Sequence, residues 1–300
     1  MTEAHTENRI VDAHTHVWTD DVESYPLAPG FIKEDLWHPH FTPDDHFSYS
    51  SSVGRVRINL VQMTWYGLDH SYILDLIKSS PDTFVGTGIV PAVSDVSLAS
   101  PDKTMIALSQ GGIYAFRVRG GYGARPSLND RPNWLDHEGH EKMFTAGAEY
   151  NLALSFLAGT EDILEVDRMC TKHPETPVIL DHVSGVRIRD GHFSEDALDA
   201  VCDMAKHKRV MIKVGPLHAL SNDTGSPYLD VLPIIKRLVE SFGPDRCMWE
   251  SDSGGPIEMD NPIVDYPASI DIIRKHADFL SESDKDYLLF KTAENFFFNR

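Results

Sequence analysis

Short apolar runs alternate along this chain with longer stretches in which apolar residues recur every three or four positions. The short runs, at 10–13, 56–62, 84–90, 113–118, 152–156, 178–180, 210–214 and 247–249, read as eight strands. The longer stretches predict helices at 69–78, with Ile73, Leu76 and Ile77 on the inward face, and at 138–150, 161–173, 195–206 and 228–242. Pro81, Pro174 and Gly243 mark helix ends. Strands that alternate with helices predict crossover units and a parallel sheet. Eight such units close into a (β/α)₈ TIM barrel, an α/β fold. An open doubly wound sheet more often carries a glycine-rich phosphate loop after its first strand, where this chain has His14-Thr15-His16. The 300 residues leave room for two domains, but one barrel takes about 250, and no repeat or linker interrupts the pattern. One domain over 1–300 is expected. Long insertions at 17–54 and 119–137 follow strands one and four, the side on which a barrel builds its active face, so they are candidate lids and pocket walls.

Composition narrows the partners. With 41% hydrophobic and 24% charged residues the chain can bury a large core. Lys and Arg number 27 against 46 Asp and Glu, a net charge of −19, which repels nucleic acid and anionic lipid. A small-molecule substrate is expected instead, with homo-oligomerisation left open. No apolar run reaches the roughly 18 to 20 residues of a membrane span, and the first residues lack the basic and apolar regions of a signal peptide, so a cytoplasmic location is the expectation. Cys170, Cys202 and Cys247 are widely spaced among apolar neighbours and read as buried, inert thiols.

Asp12-Ala13-His14-Thr15-His16 leaves the first strand with two histidines two residues apart. On an extended backbone both point to one side, with Cα atoms about 6.6 Å apart, so their imidazoles can converge on one metal ion. With Val11 ahead of it, this stretch resembles the amidohydrolase superfamily, and within it the amidohydrolase-2 branch that contains lactone hydrolases and nonoxidative decarboxylases. Val178-Ile179-Leu180-Asp181-His182 and Met248-Trp249-Glu250-Ser251-Asp252 carry the same resemblance, supported by 61–67, 69–72 and 112–117. The resemblance covers nearly the whole chain. It implies a TIM barrel with His14, His16, His182 and Asp252 gathered at its C-terminal mouth, as ligands of one divalent, zinc-class metal ion. It also implies a metal-free alternative in which the histidines polarise a carbonyl by hydrogen bonding.

Asp252 lies just past a short apolar run, so its carboxylate is expected at a strand's carboxyl end, where it could ligate metal, accept a proton from water, or do both in turn. Asp12 and Asp181 read as residues that orient imidazoles or lock loops. His218 emerges from the seventh strand and is a further acid or base candidate beside Asp252 and His182. By strand count, His182 and His218 fall one strand later than in the usual superfamily description. Arg117, Arg119 and Arg125 are expected to bind a substrate carboxylate, because guanidinium forks donate paired hydrogen bonds and act at short range despite the net negative charge. Lys213 could bind substrate or neutralise a buried acid. Trp65 and Tyr66, with Trp18, Trp37 and Trp134, are candidates for an apolar pocket wall. Glu250 departs from the glycine more usual in the branch; it could deter an anion, add a metal ligand or turn outward. The expected activity is opening of a lactone or related ester of a small anionic or polyhydroxylated substrate. A metal-dependent nonoxidative decarboxylase is the alternative, and a non-catalytic ligand-binding barrel the third reading.

Overall fold

The computed structural model describes residues 8–120, 133–222 and 225–300; Arg125 lies outside them. Eight strands run in chain order around a single parallel sheet: β1 (Arg9–Thr15), β2 (Arg55–Val61), β3 (Phe84–Gly88), β4 (Ile113–Arg119), β5 (Ala153–Leu157), β6 (Val178–Leu180), β7 (Val210–Val214) and β8 (Cys247–Trp249). Every predicted strand is present. These strands are covered on both faces, which is why they read as near-continuous apolar runs rather than as alternating ones.

The sheet closes where β8 returns to β1. Asp252 N donates to His14 O at 3.0 Å and His16 N donates to Ser253 O at 2.8 Å, with a parallel bridge between Thr15 and Ser253. The seam of this (β/α)₈ barrel therefore runs between the two segments that carry most of the histidine and carboxylate chemistry.

The predicted helices form at Ser71–Ser79, Glu138–Tyr150, Ile163–Lys172, Glu195–Asp203 and Leu232–Phe242. The last buries Ile234, Ile235, Leu238, Val239 and Phe242 along one stripe, the pattern of a helix laid on a sheet. The helix Pro101–Ser109 was not expected from periodicity; only Pro101 and Met105 of it are buried, so its apolar stripe is weak. Helices also follow β8, at Pro262–Asp271 and Thr292–Phe297, and the turn Tyr287–Lys291 packs on both β1 and β8. That turn supports the closing seam from outside.

The barrel interior is polar near the carboxyl ends of the strands. Asn59 Nδ2 donates to Ala13 O (2.8 Å) and to Thr87 Oγ1 (2.9 Å), and Ser155 Oγ donates to Asp181 Oδ1 (2.8 Å). Fully buried Lys213 reaches Asp181 Oδ1 at 2.9 Å. A buried cation persists when an anion and hydrogen bonds compensate its lost hydration, and Asp181 supplies both. All three cysteines are free and buried. No helix among the described residues is long and apolar enough to cross a membrane.

Candidate active site

His14 and His16 sit at the end of β1, His182 follows β6, and Asp252 follows β8, so one rim of the barrel brings all four together. His14 Nε2 lies 3.3 Å from His16 Nε2. Asp252 Oδ1 lies 3.6 Å from the first nitrogen and 3.5 Å from the second. The ring centroids of His14 and His182 are 4.6 Å apart. Lys213 and His218, from β7 and the turn after it, complete the set of strand-end candidates. All eight strands are present, so His182 follows β6 and His218 follows β7, and the one-strand offset does not come from a misplaced strand.

Backbone conformation fixes two of these residues at some cost. Asp252 has φ of +54°, and His182, Val183 and Ser184 have φ of +54°, +49° and +48° in succession. Left-handed backbone at side chains with a Cβ costs on the order of 1–3 kcal/mol each and persists where the surroundings over-determine it, most often at functional positions. Glycines admit the close approaches nearby. A Cβ on Gly255 would stand 2.5 Å from Asp252 Cγ, and one on Gly215 would stand 2.3 Å from Glu250 O.

Glu250 turns inward and is fully buried. Its Oε1 accepts from His182 N (3.1 Å) and from His182 Nδ1 (2.8 Å), while Oε2 lies 3.1 Å from His14 Nδ1. Of the three fates open to it from sequence, the structure places it among the site's own groups. On the opposite side, Lys213 Nζ lies 3.0 Å from the same His14 Nδ1. The Lys213 contact is the hydrogen bond at this nitrogen, since Glu250 Oε2 has no hydrogen-bond partner among the described residues. Nδ1 of His14 then accepts, and the proton of its neutral ring sits on Nε2, facing His16, and must leave before that nitrogen can ligate. His16 is the other tautomer: its Nδ1 donates to Val61 O at 2.8 Å and leaves Nε2 bare.

Charge follows environment. Burial, and after it Lys213, holds the His14 ring well below the usual imidazole range; burial likewise lowers His16. Both rings are therefore neutral and offer lone pairs. Burial opposes a charged His182 too, but Glu250 and then Asp252 outweigh it and raise that ring. Asp252 is depressed although burial opposes this, with His182 and His16 the chief causes, and Asp181 is held down by Lys213 and Arg117. Asp12 accepts from His14 N, Ser251 N, Ser251 Oγ and Tyr266 OH, tying the two seam segments together, and burial pushes its carboxyl up to about 6.

The donor set suits a divalent ion. His14 Nε2, His16 Nε2 and Asp252 Oδ1, the last a buried oxygen with no hydrogen-bond partner among the described residues, face one another at 3.3–3.6 Å. Tetrahedral ligands about 2.0–2.1 Å from zinc stand about 3.3–3.4 Å apart. His14, His182 and Glu250 form a second group of comparable closeness.

A cavity of about 290 Å³ opens beside this cluster, lined by His16, His182, Asp252, Gln62, Trp37 and Met63 and by three arginines, Arg117, Arg119 and Arg187. Arg117 Nη2 lies 3.4 Å from His182 Nε2 and 3.6 Å from Asp181 Oδ2. Arg187 was missed from sequence; the available signal was an arginine five residues past His182 on the same strand-end loop. Trp65 and Tyr66 do not line this cavity. Trp65 is buried in a ring cluster with Trp18 and Trp37, and Tyr66 OH accepts from Thr19 N at 3.0 Å, so both brace the wall from behind. Lys213 lies beneath the cluster, and His218 lines an adjoining cavity, where its Nε2 donates to Ile257 O at 2.9 Å.

Known structures share the architecture. A protein from Pseudomonas putida, named as a candidate 2-pyrone-4,6-dicarboxylic acid hydrolase, superposes with a TM-score of 0.71 at 18% identity over 98% of both chains. An amidohydrolase from Burkholderia multivorans with bound zinc gives 0.69 at 15% identity, over 96% of this chain and 98% of that one. The 5-carboxyvanillate decarboxylase of Sphingomonas paucimobilis gives 0.63 at 13% identity, over 97% and 99%. At these identities the likeness is one of fold. No curated protein matches the chain. The strand-end histidines and carboxylates, the closed barrel and a match of the Amidohydrolase family model (Amidohydro_2) to residues 11–298 agree: the chain belongs to the amidohydrolase family.

Proposed function

We propose that this amidohydrolase opens the ring of a small lactone bearing carboxylate groups, by attack of water on the lactone carbonyl. The observation that supports this reading most directly is the approach of Arg117 Nη2 to 3.4 Å from His182 Nε2, a fixed cation at the edge of the histidine cluster. Arg119 and Arg187 line the same cavity, so an anionic substrate would be held with its reacting carbonyl against the cluster. The Pseudomonas putida protein is named for a substrate of this kind, a lactone ring carrying two carboxylates.

A zinc-class ion belongs to the reading, with His14, His16 and Asp252 as its holders and His182 or Glu250 beside them. Bound there, it supplies Lewis-acid polarisation of the carbonyl and a lowered pKa for water. The chain's own groups do the rest. The arginines orient the carboxylates. His182, its Nδ1 held by Glu250, keeps Nε2 on the cavity side for a hydrogen bond to the carbonyl oxygen. Asp252 takes the proton of the attacking water, the bond from the carbonyl carbon to the ring oxygen breaks, and the proton passes to that oxygen.

The test combines elemental analysis of the purified protein with turnover of 2-pyrone-4,6-dicarboxylate and, separately, 5-carboxyvanillate. Ring-opened acid formed without carbon loss supports the hydrolase. Carbon dioxide released from the aromatic acid instead replaces it with a decarboxylase, and turnover of neither favours a ligand-binding barrel.

A further inference from the structure

Asp252 lines two cavities. One is the arginine-walled cavity described above. The other, about 120 Å³, shares only Asp252 and Ile257 with the first and is bordered by Tyr49, His218, Ser253 and Met259, with His38 and Glu258 at its edge. The two differ in chemistry: the first has the guanidinium groups that suit a carboxylate, and the second has none among its lining residues.

Resting on the lactonase reading, we propose that the smaller cavity is the water route: the nucleophile reaches Asp252 from this side while the lactone occupies the other. Its size supports this. It has less than half the volume of the arginine-walled cavity, and at about 30 Å³ per molecule of liquid water it still accommodates a short file of waters. A buried water also needs polar partners, and the walls provide them. His218 Nδ1 is buried without a hydrogen-bond partner among the described residues; since Nε2 donates to Ile257 O, Nδ1 carries a lone pair that accepts from water. Ser253 and the Asp252 carboxylate stand further along the wall. The outer end is wet, because the His38 and Glu258 side chains, joined at 2.5 Å, are about half exposed. His218 is thereby a positioning residue for water, set apart from the substrate. The separation serves hydrolysis, since the nucleophile then approaches without passing the bound substrate.

A competing nucleophile tests the route. With the pyrone dicarboxylate in water containing methanol, the methanol oxygen attacks the carbonyl carbon, the ring C–O bond breaks, the methanol proton ends on the ring oxygen, and a methyl ester forms in place of the acid. Met259 borders only the smaller cavity, so Met259→Ala should raise the ester-to-acid ratio by about tenfold, the low end of what one methylene is worth in a shaped site. Met259→Trp should lower the ratio and kcat together while KM for the dicarboxylate stays within about twofold. The ratio is a property of turning-over molecules, so partial misfolding of a variant does not move it. Acid formed with the ratio unmoved by both substitutions overturns the water route alone. Carbon dioxide release with neither acid nor ester overturns the hydrolytic reading and the route with it.

Discussion

Glu250 Oε1 accepts hydrogen bonds from both the backbone nitrogen of His182, at 3.1 Å, and its ring Nδ1, at 2.8 Å. One carboxylate oxygen thus sets the position of a residue with left-handed backbone and also the direction of its imidazole. The carboxylate's second oxygen stands 3.1 Å from His14 Nδ1, the nitrogen that accepts from Lys213.

Glu250→Gln keeps the shape but removes the charge that both rings face. Partners that orient an imidazole in this way are worth about 10–100-fold in metal affinity or activity. Turnover should fall by about that factor with KM little changed, as steady-state kinetics would show. Unaltered kcat would dismiss Glu250 from the site's working parts.

Replacing His14 and His16 together by Ala removes two of three ligand atoms at tetrahedral spacing. Bound zinc-class metal, measured by mass spectrometry of the elements, should drop from about one per chain to none. A stoichiometry that survives the double substitution would exclude this pair as ligands.

Asp252→Asn leaves an isosteric group that neither accepts a proton nor ligates well. Its turnover should fall by about 10² or more, the usual scale for removing an acid or base. Near-normal turnover would take Asp252 out of the mechanism.

Arg187→Ala, like Arg117→Ala and Arg119→Ala, should raise KM for a dicarboxylate more than for a neutral lactone, since a lost guanidinium weakens ground-state binding of the anion. The comparison needs both substrates. Equal changes for the two would mean that the arginines do not read charge.

Stability should fall on acidification for a reason outside the active site. Burial pushes His46 down to about 3; its Nδ1 meets only Tyr49 OH, at 3.2 Å, and its Nε2 has no partner among the described residues. An unfolded histidine titrates near 6.5, so between that pH and about 3 the unfolded chain binds a proton that the folded chain does not. This histidine therefore costs about 1.4 kcal/mol of stability per pH unit lowered through that window. His140, buried and pushed down to about 4, acts with the same sign, while Asp12, raised to about 6, acts with the opposite sign between about 4 and 6. His46→Phe isolates the first contribution: urea unfolding at several pH values should show a shallower loss than wild type, and identical slopes would refute it.

The periodicity of apolar residues determined the barrel. Eight short runs separated by helical stretches admit few other closed arrangements, and strands covered on both faces announce themselves by composition alone. The helix Pro101–Ser109 escaped because only two of its residues are buried, and Pro262–Asp271 because Pro267 stands inside it and two of its four buried residues, Asp265 and Ser269, are polar, which leaves apolar periodicity little to report. His14, His16, His182 and Asp252 were legible because each stands just past an apolar run, and a strand end fixes position without knowledge of neighbours. Side-chain direction was not legible. Whether Glu250 faced in or out, whether Trp65 touched the cavity or braced it, and whether Arg187 reached the site depend on contacts between residues distant in the chain. Even the hydrogen bonds joining His14 to Asp252 and His16 to Ser253 exist only once β8 has come round to β1, for a sequence lists strands in a line and closure into a ring belongs to three dimensions.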